Sequence, residues 1–140
     1  MKTEKALSIT IYAFMIFSAI AIAIVSLMAF QNPQAVMDLV QVNLPNTDAF
    51  SSIRGVYGGV GLTIFLTLIY LMIKDQTKGL VFASMLWGFY AMSRLITIIK
   101  EGNLGAFGNQ WLTIESILCV TALTLLSFKL RVSGAFKKIA

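Results

Sequence analysis

Arg54-Gly55-Val56-Tyr57-Gly58-Gly59 opens a stretch that runs to Ile73 without another charge. A cation at the centre of a bilayer costs about 2.5 to 3.5 kcal/mol on insertion scales. Off-centre, where Arg54 falls, the cost is lower, yet such a side chain still turns toward a protein interior or snorkels to the headgroups. If it stays inside, other residues must answer it. The only other charged side chains embedded in apolar stretches are Arg94 and Glu115.

The composition sets the class. Hydrophobic residues make up 58% of the 140 and charged residues only 12%, against about 25% charged in a soluble domain. The mean hydropathy is +0.84. Lipid leaves backbone groups unsolvated, so each span must be a helix or part of a closed barrel, and continuous apolar runs favour helices. Histidine is absent, which removes the usual general base and metal ligand and any Ser-His-Asp triad. No metal, other cofactor or catalytic residue is assigned. Cys119 is the single cysteine, so no intrachain disulfide forms. The net charge of +5 comes from lysines that flank apolar segments. Anionic headgroups are therefore the expected partners, and nucleic acid is not.

Taken in order, an uncharged run over 6–30 forms the first span; about 20 residues suffice to cross the hydrocarbon. It is longer than the roughly 7 to 15 apolar residues of a signal peptide. Asn32 and Pro33 read as N-cap and first helical residue. With Val36, Leu39 and Val40 at helical spacing, 33–41 is expected as a short helix on the membrane surface. Asn46 or Thr47 restarts the helix, giving a second span over 47–73. A polar turn at 74–79 leads to a third span, 80–99. Gly102, Gly105 and Gly108 mark a flexible loop over 100–110, and Trp111, at headgroup level, starts the fourth span, 111–128. The expected fold is all-α, an integral membrane bundle of four antiparallel transmembrane helices in one domain over 1–140.

Arg54 is about seven residues inside the second helix, Arg94 about six from the end of the third, and Glu115 about five inside the fourth, so all three lie roughly 8 to 10 Å below the same helix ends. Arg94 near a helix end and Glu115 near a helix start suit the helix dipole, whereas Arg54 near a start does not. Two arginines sharing one carboxylate leave a surplus positive charge where an anion can bind. At 100 degrees per residue Arg54, Tyr57, Gly58 and Gly61 share a face, with Gly55 and Gly59 on its flank. Trp87 and Tyr90 lie with Arg94. The expected ligand set is Arg54, Tyr57, Tyr90, Arg94 and Glu115. Gly55, Gly58, Gly59 and Gly61 are assigned to helix packing, the commonest meaning of a G-x-x-x-G pair. A purely structural Arg94–Glu115 pair and a snorkelling Arg54 are the alternatives, and Cys119 reads as a small core residue.

The string Ser52-Ile53-Arg54-Gly55-Val56-Tyr57-Gly58-Gly59, followed by an embedded arginine and glutamate, resembles an uncharacterised bacterial family of small four-helix membrane proteins, a domain of unknown function. More loosely, the layout looks like DoxX-type proteins. That resemblance implies importance for Arg54, Tyr57, Gly58, Gly59, Arg94 and Glu115 and names no reaction. The eicosanoid and glutathione family of membrane transferases is similar in size and layout, but its second-helix arginine, asparagine and glutamate motif is reduced here to Arg54.

Three readings follow: binding of an amphipathic anion such as a lipid headgroup in a polar pocket, a membrane transferase, and a structural or accessory subunit, with homo-oligomerisation compatible with each. In the shared-cluster reading Glu115→Ala is the more destabilising substitution, because it strands two cations, and Arg94→Ala the milder. Orientation follows from Lys2, Lys5, Lys74, Lys78, Lys129, Arg131, Lys137 and Lys138 on one side against Lys100 on the other. By the positive-inside rule both termini of this inner-membrane protein are cytoplasmic. Cysteine labelling should therefore place Lys2, Lys78 and Lys138 inside and Asp38 and Asn103 outside; an outward C-terminus overturns the orientation.

Overall fold

In the computed structural model, which describes residues 2–134, every regular element is helical and no strand occurs among the described residues. Helix α1 is Lys2–Gln31, α2 Pro33–Asp38 and α3 Thr47–Ile53. A π-helical segment, Arg54–Val60, continues α3 directly into α4, Gly61–Lys74. Helices α5, Gln76–Glu101, and α6, Ala106–Val132, complete the chain. Four stretches are long and apolar enough to cross a membrane: Glu4–Gln31, Thr47–Lys74, Gln76–Glu101 and Ala106–Val132. Lys137 and Lys138, used in the orientation count, lie outside the described residues.

Packing divides the chain into two compact units, Ile16–Tyr70 and the residues up to Met15 together with those from Leu71 onward. The boundary passes through α1 and α4, so it is not a break in sequence.

In the unit that contains α5 and α6, the link after α4 is shorter than the expected polar turn. Asp75 alone is non-helical, and its carboxylate accepts the backbone N–H groups of Thr77 and Lys78, both at 3.1 Å, as the N-cap of α5. Its Oδ2 also lies 3.3 Å from Lys78 Nζ. The Lys78 backbone hydrogen bond, more than the Lys78 ammonium, holds this carboxyl below its ordinary pKa. At the other end of α5, Gly102 takes φ 102°, a left-handed value that ends the helix without a Cβ penalty. The expected eleven-residue glycine loop contracts to 102–105, because Ala106–Gln110 already belong to α6. Asn109 Nδ2 donates to the Leu104 carbonyl at 2.9 Å, closing that first turn. Trp111 is thus inside the helix, with its ring 6.1 Å from that of Phe107.

Helices α5 and α6 run antiparallel along Leu80, Ala83, Trp87 and Ala91 on one side and Leu118, Ala122 and Leu125 on the other, all buried. Spacings of three and four residues keep each set on one helix face. The small residues bring the backbones close: a Cβ on Gly88 would lie 3.3 Å from Cys119 Sγ. Across the seam, that thiol is 3.5 Å from the Ser84 carbonyl.

In the unit Ile16–Tyr70, the end of α1 runs antiparallel to the π-helical segment and α4. Helix α2 exists but is shorter than expected, and it does more than lie on a surface. Pro33, Val36 and Met37 are buried, and Val36 and Met37 pack with Ala29, joined by Val25, Met28, Leu44 and Ile53. Leu39 and Val40 fall in the turn beyond the helix and are exposed. Gln34 fixes the connection: its Nε2 donates to Asp38 Oδ1 at 2.7 Å and to the Val42 carbonyl at 2.9 Å, while its Oε1 accepts from Leu44 N at 2.9 Å. Asn32 is the N-cap of α2 by position only, whereas Asn46 caps α3 with its side chain, accepting from Ala49 N at 2.9 Å.

The glycines divide into two pairs. A Cβ on Gly58 would meet the Phe30 ring at 3.1 Å, and one on Gly61 would collide with Ser26, whose buried hydroxyl donates to the Ile22 carbonyl. Gly55 and Gly59 meet nothing within 4 Å. The contact thus runs through Gly58 and Gly61 and not through the Gly55–Gly59 pair. A π-helix bonds i to i+5, so each turn holds more residues than an α-turn, and faces computed at 100 degrees per residue drift. Gly61→Ala should accordingly lower stability by about 1 to 3 kcal/mol, the usual effect of overfilling a packed contact, with Gly55→Ala close to neutral. Thermal melts followed by helical circular dichroism in detergent compare them, and equal melting temperatures would remove the packing role of Gly61.

Candidate functional site

The deepest charge is Glu115. Arg94 on α5 meets it from across the seam with two parallel bonds, Nε to Oε2 at 2.6 Å and Nη2 to Oε1 at 2.8 Å. A bidentate, charge-assisted pair of this kind is among the strongest side-chain contacts. The Glu115 side chain is 3% exposed and that of Arg94 is 22% exposed, so the carboxylate is enclosed while the guanidinium reaches the edge. The helix dipole contributes little here. Helix α6 starts at Ala106 and not at Trp111, which puts Glu115 more than two turns inside it, and the dipole effect fades after the first turn. The direct pair holds the two charges.

Around this pair, Tyr90 lies one turn before Arg94 with its ring 6.2 Å from that of buried Trp87 and tilted by 40°. Farther along α5, Ser84, Met85, Gly88, Phe89 and Met92 line a shallow open groove with Leu123 of α6. Neither Arg94 nor Glu115 belongs to it, and its walls suit hydrocarbon better than a polar ligand.

Arg54 is answered differently. It is the first residue of the π-helical segment, and its Nε donates to the Phe30 carbonyl at 3.2 Å. That carbonyl belongs to the last turn of α1, whose free C=O groups form the negative end of the helix dipole. A cation unfavourable in its own helix is thereby placed at a favourable end of another. Within its own unit and among the described residues, no carboxylate pairs with Arg54. Its guanidinium is exposed, as is the Tyr57 side chain three residues on.

Of the five expected ligand residues, Arg94 and Glu115 meet on the α5–α6 seam of one unit, with exposed Tyr90 one turn away on α5, and Arg54 and Tyr57 lie on the π-helical segment of the other unit, beside the end of α1. Sequence reasoning missed the residues that fix the connections, Gln34 and Gln76. Glutamine carries no distinctive signal: Gln76 fell within the polar turn expected at 74–79, and Gln34 within the expected short helix just after Pro33. Among the described residues no three His, Cys, Asp or Glu side chains gather as metal donors.

A family model described as a domain of unknown function, DUF4345, matches residues 11–126. No curated protein and no solved structure matches the chain.

For the Arg94–Glu115 pair taken by itself, unequal exposure ranks the two alanine substitutions in the other order from a shared cluster. Arg94→Ala leaves an enclosed carboxylate without its partner and should destabilise by about 3 to 5 kcal/mol, whereas Glu115→Ala leaves an arginine already near the edge and free to snorkel. Replacing both with leucine should recover most of the loss, since apolar substitution of a buried pair is often neutral. Unfolding in detergent measures all three, and an Arg94→Ala variant as stable as the parent overturns the structural role of the pair.

Proposed function

The chain belongs to the DUF4345 family, and we propose that it is an inner-membrane protein, both termini cytoplasmic, that binds the anionic headgroup of an amphiphile at Arg54. One observation carries this reading. Arg54 lies within a span, exposed, with its Nε committed to a backbone carbonyl and no carboxylate partner in its unit. A guanidinium offers five N–H donors in a planar fork that matches carboxylate and phosphate, and the Phe30 contact occupies one of them. Arg94 has no comparable capacity, because both oxygens of Glu115 neutralise it.

The surroundings support a lipid more than a soluble anion. Arg54 is about two turns inside its span, within snorkelling reach of the headgroup layer. Exposed Val56 and Val60 share the π-helical segment and give an acyl chain its contact. Exposed Tyr57 adds a phenolic hydroxyl on an amphipathic ring of the kind found at the membrane interface. Gly55 and Gly59 have open space beside them on the same segment.

Native mass spectrometry of the detergent-solubilised protein with oleate, phosphatidylglycerol or phosphatidylcholine tests the reading. The parent should retain the anionic amphiphiles, and Arg54→Gln should lower that retention about tenfold or more, the usual value of a hydrogen bond to a charged group. Arg54→Lys should recover only part, since a point charge lacks the fork. Equal retention by parent and Arg54→Gln overturns it.

A further inference from the structure

In the other unit, side-chain hydrogen bonds tie the start of α1 and the end of α6 to the α4–α5 junction. Gln76 joins all three. Its Nε2 donates to Ser8 Oγ at 3.0 Å and to the Ser8 carbonyl at 3.4 Å, and its Oε1 accepts from Lys129 Nζ at 3.2 Å. Lys5 lies three residues before Ser8, on the same face of α1, and Lys74 lies two residues before Gln76. A glutamine amide thus ties Lys129 of α6 to Ser8 of α1, and Lys5 and Lys74 stand within three residues of the bonded positions.

The ammonium of Lys129 has three donors, and Gln76 takes one. Among the described residues no carboxylate pairs with it. The acid next to Gln76, Asp75, is committed to the Thr77 and Lys78 amides and to the Lys78 ammonium. All of these residues sit at helix ends, which is headgroup level for helices of spanning length. Three of the polar members also have a large exposed apolar neighbour in sequence, Ile9 beside Ser8, Ile73 beside Lys74 and Phe128 beside Lys129. Phosphate at the lysines and acyl chain along these three side chains describe one molecule.

We propose that Lys129, positioned by Gln76 and flanked by Lys5 and Lys74, forms a binding site for the phosphate headgroup of an anionic phospholipid. It rests on neither the orientation of the protein nor the Arg54 site. Clustered lysines at a membrane surface each strengthen attraction to anionic lipid; the Gln76 clasp adds a fixed position, which makes this a site and not only a diffuse field.

The test uses the full-length protein in detergent with phosphatidylglycerol, phosphatidylcholine or inorganic phosphate as probes, read by native mass spectrometry. Expected are preferential retention of phosphatidylglycerol, a loss of about fivefold in Lys129→Gln, recovery in Lys129→Arg, and no comparable loss of the Lys129-dependent component in Arg54→Gln. Gln76→Leu should also weaken retention while keeping every charge, an effect that charge count alone does not produce. Circular dichroism melts confirm that each variant is folded, and Lys74→Gln replaces Lys129→Gln if the latter is not. Unchanged phosphatidylglycerol retention in the folded variant, equal retention of phosphatidylcholine, or inorganic phosphate that binds as well as the lipid each overturns the proposal.

Discussion

Lipid offers no hydrogen-bond partner, and the polar side chains described within the spans are arranged around that absence. Backbone groups are closed within helices, as a bilayer requires. The side-chain hydroxyls follow the same rule: Ser26, Thr63, Thr67, Thr97, Thr113, Thr121, Thr124 and Ser127 each donate to the carbonyl four residues earlier. Such back-bonding satisfies a hydroxyl without any tertiary partner. Among the described residues no buried side-chain nitrogen or oxygen lacks one. The polar residues that remain for tertiary use are few, and their positions organise each unit.

The two arginines within the spans show two solutions to one problem. Arg94 is neutralised by a formal charge, in a geometry that uses both oxygens of Glu115. Arg54 is met by a partial charge, the carbonyl at the end of α1. The first solution removes electrostatic capacity and fixes a helix pair; the second leaves net charge behind. Of the two arginines, Arg54 is the one whose donors are left for a ligand.

The membrane class, the number of spans and the ends of most helices were readable because they depend on local properties: apolar length, Asn-Pro at one start and Asn46 before another. Arg94 and Glu115 were readable as polar exceptions in apolar runs. Two kinds of feature were not. Helix phase across Arg54–Val60 departs from 3.6 residues per turn, and although Gly58 and Gly61 were grouped on one face apart from Gly55 and Gly59, the sequence did not say which pair would face α1. The start of α6 was placed five residues late because Gly105 and Gly108 look alike in sequence, yet only Gly105 precedes the helix while Gly108 sits inside it. Contacts such as Gln34 with Leu44 and Gln76 with Lys129 depend on packing that no pattern of periodicity encodes.

The π-helical segment makes the second span two rods with different clocking. Within α4, Gly61 and Leu68 keep one buried face in α-helical step, whereas Arg54 belongs to the wider turn before it. Wound as an uninterrupted α-helix, the same seven residues would swing Arg54 by about 100 degrees relative to Gly61, away from the carbonyl of Phe30. The winding of Arg54–Val60 is therefore as much a part of the arginine's address as its identity. A chain that kept Arg-Gly-x-Tyr-Gly-Gly and its spacing to Gly61 but lost the wide turn would keep the residues and lose their aim.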